Sequence, residues 1–463
     1  MGRAISKPMS ASSRKHNKIL LCAKISSSNH KDLTNYTVAH KIRFVPSFGL
    51  ARANDRGQLA HEINMKVLFL APQCDPVGVG EASSVFHLLR GLVQDIEATI
   101  IGMNPSGRSG ELVKAFPEAR VIELQPWPIQ RISERFNALV KPSYIKFYFE
   151  ARRIARELLS NEKFHLGHQI GPLALRYPSP LIDLGLPFVM GPLAGSLRTP
   201  KGFRENSGWY YRLRSLDTLR FRSDPLLRRT YMQASKLIGV APYLKVLLPM
   251  PCNWAFVPET AITVLPDLAP RASANDGILR LLFVGRVIPT KGIYYVIRSI
   301  AQLAGLTNVH LDIVGEGTDL DACKAEAVRL GIGSLVSFHG WKPRDELHNF
   351  YCRADIFVFP SYREPSGNVV FEAMSYGLPL IVADYGGPAN IVRDTFGIRI
   401  PVDSEAVFTQ TIADAISALA RAPDLRIAMG RAARNAAVRD HMWPSRYEFF
   451  LELYKEVVNQ TAP

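Results

Sequence analysis

Short apolar runs alternate with amphipathic stretches from Met65 almost to the C-terminus. Runs that are apolar at consecutive positions suit strands buried on both faces, and such strands occur in parallel sheets covered by helices. Val67 to Ala71, Ala98 to Gly102, Arg120 to Ile122, Pro187 to Met190 and Lys236 to Val240 form one set. Leu279 to Val284, Val309 to Val314, Val336 to His339, Ile356 to Phe359 and Leu380 to Ala383 form a second. The expected fold is α/β, with two Rossmann-like, doubly wound parallel-sheet domains at 65–264 and 279–443. The Pro- and Ala-containing stretch Leu265 to Gly277 is the expected linker, and 444–463 is expected to be a terminal helix.

Charge is distributed unevenly. The chain of 463 residues has a net charge of +15, and residues 1–64 hold eleven Lys or Arg against three acids. That segment has no hydrophobic periodicity, and Met65 heads the first strand. Residues 1–64 are therefore expected to be a basic extension outside the fold, or a misassigned N-terminus, in preference to an organelle transit peptide. The five scattered cysteines show neither a disulfide framework nor zinc spacing, which suits a reducing, cytoplasmic setting. No apolar run is long enough to span a bilayer, so any membrane contact is expected to be peripheral.

The chemistry is concentrated in the second half. Strand Leu281 to Val284 leads into Gly285, Arg286, Lys291 and Gly292, and a helix follows. Taken alone, this is equally a ligand loop at a strand end or a solvated basic loop. Strand Ile356 to Phe359 leads into a loop with Glu364 and Gly367, then a helix opening with Asn368 and Val369 and containing Glu372. Free amides at that helix start suit a phosphate, whereas ionised carboxylates suit groups that donate hydrogen bonds, such as sugar hydroxyls. Together they describe a nucleotide-sugar pocket.

These residues resemble glycosyltransferase family 4. The likeness rests on Gly285-Arg286 with Lys291-Gly292, on Gly315-Glu316-Gly317, and above all on Glu364 and Glu372 separated by seven residues. In the first half, Gly78-Val79-Gly80-Glu81 resembles the family's glycine loop, and His168-Gln169-Ile170 resembles its His motif. Gly191-Pro192-Leu193-Ala194-Gly195 is similar to the loop after it, with Ala194 where the pattern has glycine. The resemblance implies a GT-B fold and retaining sugar transfer, with the donor's nucleotide on the second domain and a glycan, lipid-linked or other hydroxyl acceptor on the first. By it, Glu372 meets ribose hydroxyls, Glu364 holds the donor sugar, and His168 lies near that sugar. Gly80, Gly285 and Gly315 shape the pocket. Arg286 and Lys291 would stabilise charge on the leaving diphosphate.

The competing readings are ranked on the same residues. Without the resemblance, His168 is better read as a packed, hydrogen-bonded histidine. A glutamate pair also suits glycoside hydrolysis, which has no use for Arg286 and Lys291. A GT-B isomerase or epimerase, or a nucleotide-sugar-binding protein without activity, is the second reading. Asp319-Leu320-Asp321 matches a metal signature, but helix capping is expected, with no essential metal and no cofactor beyond the donor. Two aromatic-basic clusters, Arg131 to Arg156 and Arg198 to Arg229, suit an anionic membrane surface or an acceptor as well as a solvated face with inward aromatics. Nucleic acid ranks last, because no recognition module accompanies the charge.

Overall fold

The computed structural model describes residues 65–78, 80–127, 141–204, 216–268, 277–303, 305 and 308–461. The expectations for 1–64, for 269–276 of the linker, and for Phe136, Trp209, Tyr210 and Tyr211 lie outside the described residues.

The first sheet is wholly parallel, with strand order β3-β2-β1-β4-β5-β6-β7. Its strands are β1 (Lys66–Ala71), β2 (Glu97–Met103), β3 (Arg120–Leu124), β4 (Leu166–Gln169), β5 (Phe188–Leu193), β6 (Lys236–Gly239) and β7 (Trp254–Phe256). Helices α1 (Glu81–Leu92), α2 (Glu111–Ala115), α3 (Pro142–Asn161), α4 (Leu216–Ser223) and α5 (Pro225–Gln233) connect them. The second sheet runs β10-β9-β8-β11-β12-β13. It is built from β8 (Leu279–Val284), β9 (Val309–Val314), β10 (Val336–Phe338), β11 (Ile356–Phe359), β12 (Leu380–Ala383) and β13 (Gly397–Ile400). Its helices are α6 (Ile293–Leu303), α7 (Leu320–Arg329), α8 (Arg344–Arg353), α9 (Asn368–Ser375), α10 (Gly386–Ile391), α11 (Glu405–Ala420) and α12 (Pro423–Asp440), and α13 (Trp443–Thr461) follows. Helix α6 buries Ile293, Val296, Ile297, Ile300 and Leu303, the stripe that a 3.6-residue period aligns.

Three strands left little mark in the sequence. Strand β4 reads Leu-Gly-His-Gln, with no β-branched residue, yet all four positions are buried. Strands β7 and β13 are short sheet edges with half-buried positions, so their apolar runs are brief.

Beyond the crossing near Ile262, two further connections tie the domains together. Helix α13 returns to the first domain, where Trp443, Phe450, Leu453, Tyr454 and Val457 join its core. The fit against α1 is close: a Cβ at Gly91 would stand 2.0 Å from the Tyr447 ring. Leu197 to Arg204, from the first domain, lies against the second. Phe203 packs among Tyr295, Tyr362 and Phe408, and Arg363 donates from Nε to the Leu197 carbonyl at 3.1 Å. Arg204 pairs with Asp319 through contacts of 3.0 and 2.5 Å. This corrects the expected capping role of Asp319: the residue precedes α7, but its side chain makes no cap and holds Arg204 instead. The aromatics Tyr144, Phe147, Tyr148, Phe203 and Phe221 of the basic clusters are buried, while Phe149 is 67% exposed.

His168 is also corrected. Expected beside the donor sugar, it lies in β4 with no exposed surface. Its Nε2 is 2.9 Å from the Gly191 carbonyl and its Nδ1 is 2.5 Å from the Tyr454 hydroxyl. A carbonyl only accepts, so Nε2 donates and Nδ1 accepts from Tyr454, which fixes the neutral tautomer. Burial depresses the imidazole pKa to about 3, partly opposed by the Gly191 bond. The sign follows from linkage: protons favour the unfolded chain, so this stabilisation is whole above about pH 6.5 and is lost towards pH 3. His168→Gln is expected to remove a slope worth at most on the order of 5 kcal/mol over that window. Chemical denaturation at pH 7 and pH 4 measures it, and an unchanged difference between the two pH values contradicts the assignment.

Candidate active site

The second sheet grows from β8 to β9 to β10, then crosses back to place β11 beside β8. The direction switches there, and loops leaving the carboxyl ends of two such strands diverge to leave a crevice. Gly285, Arg286 and Lys291 follow β8, and Gly315 follows β9. Glu364 and Gly367 follow β11, with Asn368, Val369 and Glu372 in α9.

Glycine makes the crowding feasible. Gly315 has φ 141°, and a Cβ there would stand 1.9 Å from the Gly285 carbonyl oxygen. Gly292 has φ 77°, and a Cβ there would lie 2.4 Å from the Pro360 oxygen. The β8 loop can thus fold over the start of the β11 loop. Ser361 donates to the Thr290 carbonyl at 3.1 Å, and the Tyr362 hydroxyl lies 2.5 Å from the Pro289 carbonyl. These bonds hold the segment that presents Lys291.

Lys291 Nζ is bonded to Glu364 Oε2 and lies 5.0 Å from the centre of the Phe359 ring. Both side chains are mostly buried, at 10% and 17% exposure. Burial acts to raise the Glu364 pKa, but the charge and hydrogen bond of Lys291, with the Ser366 and Gly367 amides, hold it below the usual carboxylate range. Glu364 is therefore an anion fixed by its surroundings. Arg286 is exposed. The N-cap residue of α9, Gly367, has no side chain to cap the helix, which leaves the Asn368 and Val369 amides without a cap from it. Glu372, half-buried, accepts from the Tyr351 hydroxyl at 3.0 Å. Burial raises its carboxyl pKa, with Tyr351 and Arg344 opposing.

The first domain has its own switch between β1 and β4. Gly80, with φ 66°, opens α1 in the loop after β1, and a Cβ there would meet nothing within 4 Å. Glu81 is fixed by Lys141 at 2.8 Å and by the Leu173 amide at 2.7 Å. Lys291 and Glu364 thus meet beyond the carboxyl ends of β8 and β11, with Arg286 on the β8 loop, Gly367, Asn368 and Val369 at the start of α9 and Glu372 within it. Gly80 lies on the opposite domain, and His168 is withdrawn into the core. Sequence reasoning missed Glu259, a buried carboxyl near Glu364, Glu81 and Ser366. Its one signal was a glutamate in the short stretch between the last first-domain strand and the expected linker.

Comparison with known proteins bears on this geometry. Residues 269–436 match the family model described as Glycosyl transferases group 1. The D-inositol 3-phosphate glycosyltransferase of Acidothermus cellulolyticus is 30% identical over 254 residues, covering 51% of this chain and 54% of that protein. An uncharacterized glycosyltransferase of Methanocaldococcus jannaschii is 38% identical over 119 residues, covering 26% of this chain and 30% of that protein. The chain spans about half, or less, of the length of the curated relatives it matches. The Anabaena protein HepE, solved in complex with UDP, matches 85% of this chain and 100% of its own, with a TM-score of 0.57 at 16% identity. The chain has the GT-B fold, and its second domain carries the match to glycosyl transferases of group 1.

Proposed function

We propose that this protein transfers a sugar, with retention of configuration, from a nucleotide-diphosphate sugar to a glycan, lipid-linked or other hydroxyl acceptor. The observation that carries the reading is the Lys291–Glu364 pair, which spans the β8–β11 switch beside the uncapped start of α9. Breaking the bond between the anomeric carbon and the diphosphate sends negative charge to the leaving group. A fixed cation at Lys291 and the exposed Arg286 meet that charge more strongly in the transition state than before it. Glu364, ionised, accepts hydrogen bonds from the transferred sugar, and Glu372 accepts from the ribose. Arg286, Lys291, Glu364 and Glu372 together disfavour a binding protein without activity, and a nucleotide-sugar isomerase or epimerase stands as the second reading. The likeness to a protein solved with UDP makes UDP-sugars the first donors to test.

Work at an anionic membrane surface is a second element of the proposal. On α3, Ile145 and Phe149 are 50% and 67% exposed, and Arg153 and Arg156 continue the same face.

Three outcomes follow. Arg286→Ala and Glu364→Gln are expected to lower turnover by on the order of 10²-fold, while Glu372→Ala mainly weakens donor binding. Steady-state kinetics with the active donor decide this, and wild-type turnover in Arg286→Ala refutes the leaving-group role. Transfer is expected to persist in EDTA, and a loss restored by manganese overturns the metal-free reading. Sedimentation with anionic vesicles is expected to show binding at low salt that weakens at high salt, and no binding at low salt removes the membrane element.

A further inference from the structure

Glu259 lies in the crossing between the domains, just past β7, and is 8% exposed. Its Oε2 has no hydrogen-bond partner among the described residues. An orphaned buried carboxyl oxygen is costly, and few persist without a ligand, a water or a function to satisfy them. The groups that act on it come from both domains. The Ser366 hydroxyl donates to it from the β11 loop, and its nearest charged neighbours there are Glu364 from that loop and Glu81 from α1. Tyr243 is close as well, with its own hydroxyl engaged at Gly195.

Arg446 is the charged group on the far side. Its guanidinium is engaged elsewhere, with the Thr260 carbonyl at 3.4 Å, the Asp440 carbonyl at 2.9 Å and His441 Nδ1 at 3.2 Å. Glu81 and Glu364 are already paired with Lys141 and Lys291. The three carboxyls therefore do not pool their charge to hold a cation.

We infer that Glu259 is a carbohydrate-binding residue of the cleft, and that its free Oε2 is satisfied by a hydroxyl of the sugar lodged between Glu81 and Glu364. The inference rests on the glycosyltransferase reading and adds a third carboxyl to it. Burial, with the charges of Glu364 and Glu81, raises the Glu259 pKa to about 7 against the Ser366 bond. Up to that pH the un-ionised group can donate through its O–H and accept through its other oxygen, which matches a sugar hydroxyl in both directions. The hydroxyl can belong to the donor sugar or to the acceptor.

Two measurements test this on the full chain. In the first, calorimetry with UDP, UDP-glucose, GDP and GDP-mannose, and with methyl glycosides at saturating nucleotide, compares wild type with Glu259→Leu. Affinity for the bare nucleoside diphosphate is expected to hold. The affinity contributed by the sugar is expected to fall about 10-fold or more, in the donor arm if the donor sugar is bound and in the methyl-glycoside arm if the acceptor is. No fall in either arm overturns the inference. If wild type binds none of the nucleotides, the transferase reading itself fails, and methyl glycosides titrated into the two proteins without nucleotide still decide the role of Glu259.

The second measurement needs no ligand. A carboxyl with a raised folded pKa stabilises the fold at low pH and loses that contribution as pH rises through the folded value. The Tm of Glu259→Gln relative to wild type is therefore expected to increase between pH 5 and pH 8. A constant difference shows an ionised carboxyl throughout and overturns the two-way hydrogen bonding assigned to it.

Discussion

The ion pair between Lys291 and Glu364 joins the two loops that meet where the second sheet reverses its order of growth. Its members come from the ends of adjacent parallel strands, so their separation is set by the sheet and not by a flexible tether. A mostly buried pair of this kind contributes little net stability, because desolvation offsets the attraction. Its consequence is positional: a cation and an anion are fixed side by side, one suited to a phosphate and the other to hydroxyls. Backbone contacts that only glycine tolerates hold the pair there. Gly386 and Gly387 continue the pattern, since Cβ atoms on them would stand 2.3 Å from the Glu364 and Ser366 carbonyl oxygens.

A site shared by two domains also needs their relation controlled. The chain crosses between them near Ile262 and again near Met442, and the crossings bond to each other through the Ile262 amide and the His441 carbonyl at 2.8 Å. Arg446, buried, binds carbonyls on both crossings. Segment Leu197 to Arg204 adds a third tie, with Phe203 inserted into the second domain's core. Arg446 and Phe203 thus hold the hinge and the strap, and Glu259 sits where the hinge meets the cleft.

Much of this was legible in the sequence because local chemistry determines it. Apolar runs marked the central strands, since parallel strands are buried on both faces. Glycines and charges at strand ends marked the second-domain crevice. What escaped detection depends on contacts distant in sequence. His168 carries the pattern of a cleft histidine, yet Tyr454, 286 positions away, supplies the bond that withdraws it into the core. Asp319 reads as a helix cap until Arg204, 115 positions away, takes its carboxylate. Glu259 becomes conspicuous only when burial and an unpartnered oxygen are seen together. Strand β4 was invisible because its polar residues are buried by neighbours and not by their own pattern.

The central claim is that the β8–β11 crevice receives a nucleoside diphosphate through Lys291. Calorimetric titration of UDP and GDP into wild type and Lys291→Met tests it without knowledge of sugar or acceptor. The expected result is binding to wild type and an affinity at least about 10-fold weaker in the variant, because a charge-assisted phosphate contact is lost. Equal affinity in the two proteins, with both folded, would contradict the assignment.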